Sequence, residues 1–249
     1  MLHDSLSSEF MLHWLPFGEI SLALTTIDHI VIGAANLEKA AKKVEVLLKT
    51  KFSTSGKHSL MATHNRLARL QNSAYVEIIA IDPSASFPKS CFQEKRWFSL
   101  DSDSTQRRLL KGPQPLCWVV AVNDIEQSAA NCGYSPGRIT EMSRGDFRWK
   151  LTVPNNGELS EGGVLPALIE WPNAKNPAAV MPNSGLILKQ LLLSHPNPNS
   201  IERILSTLDF QDQLTLNLAN RHFNFLSKNR TAAMFYLART VWLEFESLF

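Results

Sequence analysis

The chain has 249 residues, 44% of them hydrophobic, which is enough apolar material for one large domain or two small ones. Its 25 Lys+Arg and 23 Asp+Glu leave a net charge of +2, and the basic residues are scattered, in runs no longer than pairs such as Lys42-Lys43 and Arg107-Arg108. That pattern excludes nucleic acid and an anionic membrane surface as electrostatic partners, and three cysteines without CxxC spacing, Cys91, Cys117 and Cys132, argue against a disulfide framework and for a reducing cytoplasm.

The first stretch, "MLHDSLSSEFMLHWLPFGEISLALTT", is moderately apolar but lacks a basic leader, carries Glu9 and Glu19, and is broken by Pro16 and Gly18. It is expected to be an N-terminal extension over residues 1–25, neither signal peptide nor membrane span. "IDHIVIG" then reads as a strand, and Asn36 as the N-cap of a helix over "NLEKAAKKVEVLLKT". There Leu37, Ala40, Ala41, Val44, Leu47 and Leu48 recur at helical spacing with lysines opposite. After a weakly signalled strand near "KFSTS", the stretches "THNRLARL" and "AYVEIIAIDP" flank a tight "QNS" turn and should pair as a hairpin. Alternation along the second strand of that hairpin puts Tyr75, Glu77 and Ile79 on one face and Val76, Ile78 and Ala80 on the other. An ionisable Glu77 in the middle of so apolar a strand requires a partner, because a buried unpaired charge is costly.

Residues 84–113 carry Pro83 at their border, then Pro88, Gly112 and Pro113, and read as a connector with one short helix at "STQRRLLK". The earlier pattern then returns. "PLCWVVAV" is a strand, "NDIEQSAANCG" a helix ended by Gly133, "RITEMSR" and "DFRWKLTVP" a strand pair, and "GVLPALIEW" a closing strand. A shift of 88 positions sets His29 on Cys117 and Leu37 on Ile125, and a slightly different offset sets Glu77 against Glu170. This is an internal repeat. From Gly185, "GLILKQLLLSHPNPNSIERILSTLDF" starts a third strand and helix, and "TAAMFYLARTVWLEFESLF" is an apolar tail with helix-compatible spacing.

"DHIVIGAANLEKAA", the "THNRL" strand, "AYVEIIAIDP" and "LPALIEWP" together resemble the vicinal oxygen chelate superfamily and, within it, the glyoxalase-like domain proteins, over roughly residues 26 to 205. The resemblance implies an α+β fold in which paired βαββ modules form a curved-sheet cup of the glyoxalase/bleomycin resistance/dioxygenase-like kind, with a partial third module. The modules would occupy residues 26–83 and 114–184, followed by residues 185–249 as partial module and tail. It further implies a divalent metal inside the cup, held by His29, Glu77 and Glu170, with a fourth position on or next to Cys117 where the superfamily usually has His or Gln. An imidazole and two carboxylates suit Zn, Mn, Fe(II), Ni or Co, and such an ion would compensate the charge of Glu77. The blander alternatives are a core role for His29, an ion pair of Glu77 with Arg66 or Arg69, and a solvated Glu170 at a strand end.

His64 and Asn65 would face the cup as substrate-orienting donors, and Trp149 and Trp171 would either fill the core or line the pocket mouth. Cys117 reads as an inert buried thiol. No GxGxxG, P-loop, GxSxG or HExxH pattern is present. Two functions follow. The first is a metal-dependent isomerase, lyase or ring-opening enzyme acting on a small oxygen-bearing substrate, with Glu77 or Glu170 as the catalytic base; a dioxygenase would need a second histidine. The second is a metal-free cup that sequesters a small molecule. The apolar tail could cover a neighbouring subunit, which leaves a homodimer open.

Overall fold

Strand β1 (Thr26–Gly33) is buried at every position after Thr26, as befits the centre of a sheet covered on both faces. The computed structural model describes residues 25–88, 94–172 and 175–208, and beyond them the strands Leu216–Ala219, Ala232–Phe235 and Val241–Ser247. Most of the N-terminal extension, and Cys91, lie outside the described residues.

The first module continues with helix α1 (Leu37–Leu48), whose N-terminus is capped by Asn36 accepting from the Lys39 amide at 3.0 Å. Leu37, Ala40, Ala41, Val44 and Leu48 are its buried face, and each large aliphatic chain among them stabilises the packing by about 1.5–3 kcal/mol. Three strands follow: β2 (Gly56–His58), β3 (Thr63–Arg69) and β4 (Tyr75–Ile81). The short β2 lies just beyond "KFSTS", and β3 and β4 form the expected antiparallel hairpin around Gln71–Ser73.

Helix α2 (Asp103–Leu109) lies in the connector. The second module repeats the first, with β5 (Gln114–Ala121), α3 (Ile125–Asn131), β6 (Arg138–Arg144), β7 (Phe147–Val153) and β8 (Ala167–Glu170). Each module therefore has three strands after its helix. The sheet order is β2-β3-β4-β1-β5-β8-β7-β6, with β1 and β5 antiparallel at the junction and the last strand of each module parallel to its first. The sheet curls until its two free edges, β2 and β6, meet, giving a cup.

Two cores result. One lies between the outer face of the sheet and the helices, and contains Ile30, Ile32, Val76, Ile78, Ala80, Trp118 and Leu168 with the apolar faces of α1 and α3. The other fills the cup's interior with Val31, Ile79, Cys117, Val119, Trp149, Leu151 and Ile169. The faces expected for β4 are those observed. Chain beyond the second module adds β9 (Leu186–Ser194) and α4 (Pro198–Leu205), whose Leu191, Leu193, Ile201 and Leu205 join the outer core. With β10 (Leu216–Ala219), β11 (Ala232–Phe235) and β12 (Val241–Ser247) it forms a separate four-stranded sheet in the order β10-β9-β12-β11. This unit opens strand–helix like the modules, yet its last strand runs antiparallel to its first. Two stretches of the helix-compatible tail are thus strands.

Candidate functional site

A β-bulge creates the centre of the site. Between Ile27 and His29 the register of β1 against β5 shifts, leaving Asp28 as the extra residue. Ile27, which strict alternation puts on the face of His29, turns to the outer core instead. Asp28 and His29 both lie buried beside the cup, with Asp28 Oδ1 2.6 Å from His29 Nδ1. The other Asp28 oxygen accepts from Trp171 Nε1 at 2.8 Å and Asn176 Nδ2 at 3.1 Å. A carboxylate at Nδ1 places the ring proton there and leaves Nε2 as a free lone pair facing the cup. Tyr75 stacks on the imidazole at 4.6 Å and fixes its plane. Burial, and then the charges of Asp28 and Glu77, hold the Tyr75 hydroxyl well above its ordinary pKa, so it stays protonated.

Opposite His29 stands Glu77 of β4, with Oε2 3.6 Å from His29 Nε2. That is too long for a hydrogen bond, so the two basic atoms face a common space. Asn65 of β3 donates from Nδ2 to Glu77 Oε1 at 2.5 Å, and its carbonyl oxygen accepts from Arg144 Nη1 at 2.9 Å. Arginine only donates, so the amide has one possible orientation. His58, at the end of β2, lies 4.0 Å from Glu77 Oε1 and meets Thr63 Oγ1 at 3.1 Å. Burial, followed by the neighbouring Arg144, His29 and His64, lowers its pKa to about 3, so it is neutral at any ordinary pH.

Aromatic rings complete the wall. Trp149 and Trp171 lie 5.4 Å apart from the side of the second module, and Trp97 and Phe98 of the connector stack at 5.0 Å. His58 packs edge-to-face with Trp97 at 5.0 Å. These groups line one pocket, about 390 Å³ of empty space when the solvent at its open mouth is included. Among the described residues the buried Trp97 indole N–H has no hydrogen-bond partner.

The residues expected from the sequence divide. His29, Glu77, Asn65, Trp149 and Trp171 line one cavity. Glu170 and His64 do not. Glu170 Oε2 accepts from the Ile125 amide at 2.9 Å, and Oε1 lies 3.7 Å from Lys150 Nζ, so its carboxylate serves the N-terminus of α3 on the outer face. Pairing registers give the reason. β4 sets Glu77 beside Val31, β8 sets Ala167 beside Val119, and the repeat makes Val31 equivalent to Val119. The counterpart of Glu77 is therefore Ala167, three residues from Glu170, and an odd displacement along a strand reverses the face. His64 alternates with Asn65 and is opposite Ala80, an outer-core residue. Glu77 is not paired with Arg66, which instead clasps Glu38.

A metal centre shared between modules does not fit this arrangement. From the second module the cup receives Cys117, Val119, Ile169 and Trp171, and burial followed by Glu77 keeps the Cys117 thiol protonated. Among the described residues, one group of three acidic, thiol or imidazole side chains has ligand atoms within 4.8 Å of one another. It is Asp124, Glu126 and Glu170, on the outer surface, where each carboxylate already caps α3 or meets Lys150. Asp28, His58, Trp97, Phe98 and Arg144 escaped the sequence reading. The one local signal among them is the acid next to an imidazole in "DH".

The profile of a family described as "Glyoxalase-like domain" matches residues 27–208, most of the chain. Among solved structures, a hypothetical protein from Staphylococcus aureus is 11% identical with a TM-score of 0.57, over 88% of this chain and 97% of that one. Methylmalonyl-CoA epimerase from Mycobacterium tuberculosis is 20% identical with a TM-score of 0.38, over 62% of this chain and 91% of that one. The comparison with curated proteins gave no match. At these identities the structural likeness concerns the fold alone. Among the described residues no helix is long and apolar enough to cross a membrane.

Proposed function

Because the chain belongs to the glyoxalase-like domain family of the vicinal oxygen chelate superfamily, we propose that its cup binds a small oxygen-bearing molecule and moves a proton on it, with His29 and Glu77 as the exchanging groups. One observation carries this reading: Asp28 Oδ1 is 2.6 Å from Nδ1 of an imidazole whose Nε2 is 3.6 Å from Glu77 Oε2 in the wall of one pocket. With Nδ1–H directed at Asp28, Nε2 can take a proton from a carbon next to a carbonyl, and Asp28 compensates the imidazolium that forms. The proton taken by Nε2 can pass to Glu77 Oε2, 3.6 Å away, and return from there to another position of the enolate, so both groups end as they began and the balance of the reaction is an isomerisation.

Superfamily members often hold a divalent ion. Here the metal reading rests on the approach of His29 Nε2 and Glu77 Oε2, the two donors that would hold one. The proton step needs no ion. A second reading, binding without turnover, is favoured by the aromatic wall around the cavity.

The test is α-proton exchange in D2O, followed by NMR, with pyruvate, acetoacetate and phenylpyruvate as probes, in EDTA and after metal analysis of the purified protein. Accelerated exchange, indifferent to EDTA and reduced by about a hundredfold or more in His29→Gln and Glu77→Gln, is the expected result. Exchange abolished by EDTA and restored by Mn(II) would return the site to metal chemistry. Saturable binding with no exchange of any probe would remove the proton step and leave a sequestering cup.

A further inference from the structure

Among the described residues lining the cavity, Arg144 alone brings a permanent positive charge. Among the described residues no carboxylate lies within 4.0 Å of its guanidinium, and the hydrogen-bond partner it has is the neutral Asn65 carbonyl oxygen at 2.9 Å. The two acids of the site are satisfied without it. Asp28 is surrounded by donors from His29, Trp171 and Asn176, while Glu77 receives Asn65 Nδ2. Asn65 thus stands as a spacer, accepting from Arg144 and donating to Glu77, which keeps cation and carboxylate from closing into an ion pair. Gly56 protects the arrangement: a Cβ there would sit 2.6 Å from Arg144 Nη1 and 2.7 Å from Asn65 Oδ1. Arg144 is half-buried, and its guanidinium stands in the wall of a pocket lined with aromatic rings, where a fork of donors suits an anion with a planar apolar body.

We infer that the cup's ligand is an organic acid, whose carboxylate docks on Arg144 while its apolar part lies against Trp97, Trp149 and Trp171. The inference rests on the proposed function only in placing the ligand inside the cup. It deepens that reading by naming the substrate class, since a carboxylate on Arg144 would leave the adjoining carbon free to reach His29 and Glu77.

Binding alone tests it, apart from turnover. Phenylacetate and its neutral isostere phenylacetamide, with cinnamate and cinnamamide as a longer pair, are titrated into the full chain by calorimetry and by quenching of tryptophan emission. Each acid is expected to bind at least tenfold more tightly than its amide. Arg144→Leu should reduce that preference to within twofold, and Arg144→Lys should be intermediate because it keeps charge without the fork. Gly56→Ala, which displaces the guanidinium but retains its charge, should also weaken the preference. Equal affinities for acid and amide, a preference that survives Arg144→Leu, or no binding of any probe would each overturn the inference. Loss of proton exchange in His29→Gln with acid binding intact would uphold both readings. Intact acid preference without exchange in the native protein would remove the proton step alone.

Discussion

The two modules share one strand order but present different chemistry to the cup they build. The first contributes His29, His58, Asn65, Tyr75 and Glu77, nearly every polar group of the wall, with Asp28 behind His29. The second contributes Trp149, Leu151, Ile169 and Trp171, with Arg144 at its last edge as the exception. Outer faces diverged much less: Leu37 and Ile125 each open a helix and each is buried against the sheet. A duplicated scaffold must keep the apolar surface that joins helix to sheet, because that burial supplies most of its stability. The concave face is free to specialise, one half toward polar side chains and the other toward aromatic shape.

That division predicts different responses to substitution. The largest effect on stability should come from the shape-giving half: Trp149→Ala empties a buried position and should cost about 3–5 kcal/mol in denaturant unfolding. On the polar half, Asn65→Ala strips Glu77 of a donor and Arg144 of its acceptor, and about 2–3 kcal/mol should be lost. Proton linkage sharpens the contrast. His58 has a folded pKa of about 3, below its ordinary 6.5, so between those values the unfolded chain carries a proton that the folded one lacks. Stability should be full above pH 6.5 and fall as the pH drops toward 3, with a slope of up to ~1.4 kcal/mol per pH unit from this group. His58→Gln should flatten that slope in a pH series of urea unfolding. The smallest effect belongs to Glu170→Ala, which removes an acceptor at the α3 amide and should cost about 1 kcal/mol while leaving metal content and ligand affinity unchanged. A loss of bound metal in that variant would break the assignment of Glu170 to the outer face.

Much of this architecture was legible from periodicity. Val76, Ile78 and Ala80 against Tyr75, Glu77 and Ile79 is a period-two pattern with one buried carboxylate, and it identified both the strand and the acid it turns toward the cup. Asn36 followed by Leu37, Ala40, Ala41 and Val44 did the same for α1. Failures came where one residue of register reverses a face. Glu170 looked like the second-module partner of Glu77, yet it lies three residues past the true counterpart, and the bulge at Asp28 moved Ile27 to the other side of the sheet. Trp97 and Phe98 sit in a stretch punctuated like a linker, where no periodic signal announces burial.

By itself the sequence determined the repeated modules, the strands and helices within them, and the two first-module residues at the centre of the cup, because these depend on side-chain period and capping within a few residues. Only the tertiary structure decided that Asp28 stands behind His29, that Arg144 crosses from the opposite edge to Asn65, and that the second module lends aromatic walls in place of ligands. Those contacts depend on strand register and on the closing of β2 against β6, and they join residues, such as Arg144 and Asn65, 79 positions apart, that no local pattern relates.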